Sequence, residues 1–162
     1  MDAPFGRWGA RLYTGLGHLG GAILGLMTLA VFVQVVLRYL GRTIDGLDEV
    51  PRYLFVWLVM IGAAAAMHRG EHTTLDYFVN RLPPRLGAAV RAAATAAGVV
   101  LFLSLIKTGL ALVPNAQLQS SPGLGLPLGV VYAAVPVGAV LIILPMLWNL
   151  AVALRALWPK RS

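Results

Sequence analysis

Between Arg11 and Arg38 the chain carries no charged side chain. Crossing a hydrocarbon core about 30 Å thick takes roughly 20 predominantly apolar residues, and the run from Leu12 to Leu37 exceeds that. A cleaved signal peptide has an apolar region of only about 7–15 residues and a small-residue cleavage site. This run is longer and passes directly into Val36-Leu37-Arg38-Tyr39, so it reads as a retained span.

The rest of the chain follows the same pattern. Its 162 residues are 59% hydrophobic and 12% charged, with a mean hydropathy of +0.79. Soluble domains carry about 25% charged residues, so half the usual charge excludes a soluble enzyme and makes a bilayer the natural solvent. A second span becomes long enough when Tyr53–Met67 is extended back to Asp48 and forward to Arg69. Asp45 or Asp48 can cap its start, Glu49 suits the positive end of the helix dipole, and Pro51 is tolerated in a first turn. Glu49 and Arg52, three apart, can pair. A third span fits between Arg85 and Asn115, with Arg91 and Lys107 snorkelling to opposite interfaces. The fourth contains Pro127, Pro136 and Pro145, of which the latter two are expected to bend the helix without ending it. The expectation is an all-α membrane protein in one domain over 1–162, with spans at about 12–38, 48–69, 85–114 and 126–155. Leu75, Phe78, Val79 and Leu82 alternate with Asp76, Asn80 and Arg81, so a short amphipathic segment is expected between the second and third spans, before Pro83-Pro84.

The net charge of +7 is spread over loops and forms no nucleic-acid patch. With the N-terminus inside, nine Lys and Arg residues fall on the inner face and four (Arg38, Arg42, Arg52, Lys107) on the outer. The positive-inside rule then places both termini in the cytoplasm.

All six carboxylates sit in loops, helix ends or the terminus; none is expected mid-span. Proton-coupled exporters are built around an intramembrane acid, so this chain is not expected to pump alone. The absence of cysteine excludes thiolate metal sites, iron–sulfur clusters and thioether-bound haem. His18, His68 and His72 leave a bis-histidine haem conceivable, against ordinary interfacial hydrogen bonding. Gly17, Gly21 and Gly25, and Ala88, Ala92 and Ala96, form small-residue stripes that permit close helix approach, within this bundle or against another subunit. Lys107 reads either as a snorkelling anchor or as a charge facing a partner. The uncharged stretch Gln117–Gly123 is either a linker or a rim for an external protein. No catalytic, cofactor or metal site is expected.

Taken in order, Arg38-Tyr39, Asp48-Glu49-x-x-Arg52-Tyr53-x-x-x-Trp57, Gly62-Ala63, His72-x-x-x-Asp76, Ser121-Pro122-x-Leu124-x-Leu126-Pro127, Tyr132 and Pro136-x-Gly138 form a series. It resembles the small membrane subunit (the Q subunit, DctQ type) of tripartite ATP-independent periplasmic, or TRAP, transporters, over roughly Gln34 to Gly138. The resemblance implies a non-catalytic scaffold subunit in the bacterial inner membrane. Its partners would be a large M-type membrane subunit and a periplasmic substrate-binding protein, and the system would import organic acids, C4-dicarboxylates or sialic acid among them, on a sodium gradient. It also implies that Arg38, Asp48, Glu49, Arg52 and Trp57 serve scaffold integrity and subunit packing. Ser121, Leu126 and Pro127 would lie near the docking side, and His72 and Asp76 in the cytoplasmic interfacial segment. Gly21, Ala92 and Lys107 are the further candidates for a subunit interface. The rival reading is a haem-bearing anchor of a respiratory oxidoreductase.

Overall fold

The computed structural model describes residues 6–68 and 81–157. The expected amphipathic segment, with His72 and Asp76, falls almost wholly outside them. Helix α1 spans Gly6–Tyr39, α2 Glu49–His68, α3 Pro84–Gln117, α4 the short Gly129–Tyr132, and α5 Ala134–Leu157. Among the described residues four spans are long and apolar enough to cross a membrane, the last running Gly129–Ala151 through α4 and α5.

The helix ends follow from local chemistry. At the end of α1, Gly41 adopts φ +70°. Its N–H donates to Arg38 O and that of Arg42 to Leu37 O. This pair of bonds, closed by a left-handed glycine, stops the helix while satisfying its last carbonyls. Pro84 opens α3 as its first residue, where the missing N–H would have had no partner in any case. Two boundaries differ from expectation. Pro114 lies inside α3, which runs on to Gln117, and the last span begins after Pro127. The expected bend at Pro136 takes the form of a break between α4 and α5, because a proline ring clashes with the carbonyl four residues earlier, here Tyr132.

Close packing joins α1 to α2, α2 to α5 and α5 to α3. The helices therefore form a row, α1–α2–α5–α3, with α5 flanked on both sides. In the last span 44% of the most apolar stretch is buried, against 6% in the first and third spans. Glycine permits two of the crossings. A Cβ on Gly109 would lie 2.9 Å from the Pro136 ring, and one on Gly138 would lie 2.5 Å from Met60.

The core holds Tyr13, Ala64, Ile142 and Met146, with Met60, Val99 and Phe102 packed against it. Tyr13 donates a 2.8 Å hydrogen bond to Leu141 O. That carbonyl is four residues before the fully buried Pro145, which has no N–H to offer it. The phenol of α1 thus repairs the helical bond that Pro145 removes from α5. His68 stacks flat on the same phenol ring, with centroids 4.2 Å apart. Interhelical hydrogen bonds in membranes average about 0.6 kcal/mol and reach about 1.7. Tyr13→Phe is expected to cost about that much in detergent unfolding. With Pro145→Ala, which restores the N–H, the same change should cost close to nothing, and a double-mutant cycle measures the difference.

Candidate functional site

Two connections meet at the end of the bundle opposite the termini. The first, residues 40–48, reaches α2 through Gly46, whose φ is +80°. The second, residues 118–128, is a compact turn. Ser121 N–H donates to Leu126 O and Leu128 N–H to Gln119 O, closing an antiparallel bridge between Ser120 and Pro127. The Ser121 hydroxyl accepts from Leu126 N–H.

Glu49, the first residue of α2, holds the two connections together. Its Oε1 accepts the N–H of Gly123 at 3.0 Å and its Oε2 that of Leu124 at 3.2 Å. Side-chain hydrogen bonds from Ser121 and Tyr53 reach the same carboxylate. Glu49 is only 7% exposed and Ser121 3%. The backbones touch beside this clasp. A Cβ on Gly46 would lie 2.6 Å from the carbonyl carbon of Gly123, and one on Gly123 would collide with Gly46 Cα. Only glycine at both positions lets the connections approach so closely.

The expected Glu49–Arg52 pair therefore does not form. Arg52 pairs with Asp48 at 3.5 Å, one turn away, and these side chains are 72% and 54% exposed. Glu49 is already engaged by the turn. Each of its oxygens accepts a backbone N–H, so the carboxylate fastens one connection to the other. Beside it, a cleft of about 230 Å³ is lined by Gln34, Arg38, Arg42, Thr43, Asp45 and Asp48.

The profile for "Tripartite ATP-independent periplasmic transporters, DctQ component" matches residues 27–156. The chain belongs to the DctQ family. It is 35% identical over 123 residues to a protein of Haemophilus influenzae named as a TRAP transporter small permease, covering 75% of this chain and 76% of the relative. It is 30% identical over 123 residues to the C4-dicarboxylate TRAP transporter small permease protein DctQ of Rhodobacter capsulatus, covering 74% of this chain and 53% of that one. Against the Vibrio cholerae protein of the same name the match is 36% over 64 residues, 39% of this chain and 28% of the relative. This DctQ chain is thus the small subunit of a TRAP transporter, a multi-pass membrane protein and a transport component with no enzyme activity of its own. The family match displaces the haem-anchor reading.

The candidate residues divide by location. Arg38 and Asp48 line the cleft and are exposed, Arg52 is exposed beside Asp48, Trp57 is half-buried in α2, and Glu49 and Ser121 are buried in the clasp. Leu126 is 49% exposed and Pro127 half-buried. Lys107 is exposed on α3. The two small-residue candidates part company. Ala92 is buried within the chain itself, while Gly21 is exposed and a Cβ there would meet nothing within 4 Å. Gly46 and Gly123 were not among the expected site residues. As isolated loop glycines they signal a turn, and nothing in their sequence neighbourhood signals contact across 77 residues.

Glu49→Ala should release the turn: amide exchange at Gly123 and Leu124 rises sharply and the melting temperature in detergent falls. Asp48→Ala removes only an exposed pair, worth about 0–1 kcal/mol, and should leave both nearly unchanged.

Proposed function

We propose that this chain is the stationary scaffold of an organic-acid importer, packed through α1 against a large M-type membrane subunit and working with a periplasmic binding protein. The observation that carries this reading is the open glycine face of α1. Gly21 and Gly25 lie on an exposed helix face where an added Cβ would meet nothing within 4 Å. Small-residue faces of this kind admit a second transmembrane helix at close range. Beside it, Leu24, Leu29 and Phe32 are all more than half exposed.

The passive role is consistent with the latch chemistry of Glu49. Arg38, Asp48, Glu49, Arg52 and Trp57 would keep the loop end of the scaffold in shape, and Lys107 would flank the partner. Ser121 would act indirectly, holding the turn in which Leu126 and Pro127 face the docking side. The excess of Lys and Arg on the terminal side favours both termini in the cytoplasm of a bacterium, with the clasp facing the periplasm. C4-dicarboxylates are the first substrates to test, because two relatives carry that name. Sialic acid is the second class, and a sodium gradient is the expected driving force.

Gly21→Leu is expected to leave the isolated chain as stable as before while reducing recovery of a large hydrophobic partner on affinity purification from native membranes. Uptake of radiolabelled succinate should fall in parallel. Undiminished recovery and uptake with Gly21→Leu would remove α1 as the contact face.

A further inference from the structure

Lys107 is the only charged residue between Arg91 and Arg155. Contacts between helices give its depth. A Cβ on Gly138 of α5 would lie 2.5 Å from Met60 of α2, and one on Gly109 of α3 would lie 2.9 Å from Pro136. Helices α3 and α5 run in opposite directions, so going from Gly109 to Lys107 moves the same way along the bundle as going from Pro136 to Gly138. Lys107 therefore stands level with Gly138 and Met60. Gly138 is itself two residues from the midpoint of the Gly129–Ala151 span.

That level lies deep in the hydrocarbon. Between Arg52 and Arg69 the charge-free part of the sequence measures only about 24 Å as helix at 1.5 Å per residue. A core about 30 Å thick encloses all of it. Met60 is eight residues from Arg52 and eight from His68, so about 12 Å of uncharged helix separates the level of Lys107 from either end of that run. A lysine snorkels by stretching its four-carbon stem along the helix, and that stem is too short for this distance. Lys107 is also turned about 200° round α3 from Gly109, which packs on α5, and so points away from its own bundle. Val100, Leu103, Leu110 and Ala111 share its side of the helix at three- and four-residue spacing, and all are exposed. Ser104, on the same side, is exposed and already donates its hydroxyl to Val100 O. Lys107 itself takes part in no ion pair with the described residues.

A cation at mid-membrane is costly alone and is held by an opposite charge. Acyl chains carry none, and a water-soluble protein does not reach this depth. A second copy of the chain could not supply one either. Asp45, Asp48 and Glu49 belong to the loop end of the bundle, and Asp2, Glu71 and Asp76 fall outside the four spans in the sequence. We propose that the outer face of α3 packs against a transmembrane segment of a different protein, which carries an Asp or Glu near mid-bilayer to pair with Lys107. The proposal rests on the reading of this chain as a subunit of a larger membrane complex. It adds to the α1 contact a second one at the other end of the row, and makes that second contact ionic.

A benzophenone-bearing amino acid is introduced in place of Ser104 or Ala111, beside Lys107, in the full chain in its native membranes. After irradiation the crosslinked peptides are sequenced by mass spectrometry. The expected adduct is a transmembrane peptide of another protein that contains an Asp or Glu. Lys107→Met should cut its yield several-fold and Lys107→Arg should preserve it. Neutralising the partner's acid together with Lys107→Met should restore much of the yield, because neither charge is then left unpaired. The melting temperature of the isolated chain should not fall with Lys107→Met, which separates a lost pairing from misfolding. Adducts with lipid alone, adducts with a segment lacking an acid, or a yield indifferent to Lys107→Met would each overturn the proposal. If the unmodified chain still recovers a large membrane partner in those cases, the ionic contact fails and the scaffold reading stands. If no membrane partner is recovered at all, both fall.

Discussion

Inside a bilayer a peptide group has no water to bond, so wherever a helix is broken or ends, another part of the protein must supply the missing partner. That constraint explains the two contacts on which the rest of this bundle depends. Pro145 deprives Leu141 of its helical donor, and Tyr13 of α1 supplies one at 2.8 Å. The chain between α3 and α4 leaves helical geometry altogether, and Glu49 of α2 accepts two of its N–H groups. The first repair ties α1 to α5 toward the terminal side, where α1 and α5 are not otherwise closely packed. The second fastens α2 to the entrance of the last span at the opposite end. Both contacts are partly buried, and together they hold the row of helices at both ends.

The four spans were legible in the sequence because charge spacing is a local property: long intervals between Arg, Lys, Asp and Glu mark what can enter lipid. Helix ends were less legible. The third span was expected to end at about residue 114, yet α3 carries Pro114 inside it and continues to Gln117. The partner of Glu49 was not legible at all. Three-residue spacing favoured Arg52, but four-residue spacing joins Arg52 to Asp48 just as readily, and the choice is decided by a turn 74 residues away. The Gly46–Gly123 contact escaped for the same reason. Two glycines far apart in the chain signal local freedom separately and say nothing of each other.

The stripe of small residues shows a related limit. Repeat spacing identifies a smooth helix face without identifying what covers it. Gly21 and Ala92 looked equivalent, but Ala92 is covered by this chain and Gly21 is not. What separates them is position in the row. Both α1 and α3 are end helices, and each turns one face to its inner neighbour and the rest outward. Ala92 sits on the inner face of α3, whereas Gly21 is next to Gly20, which already packs against Leu58 of α2.

A row of helices also differs mechanically from a closed bundle. A closed bundle hides its small-residue faces in its own centre; a row keeps broad faces available and gains stiffness from its fastened ends. Moving substrate or protons through the membrane requires an ionisable group that can change partners within the span. Here the one buried acid among the described residues stands at a helix start with both oxygens bound to backbone donors. A carboxylate held in that way resists the change of partners that a carrier's relay group needs.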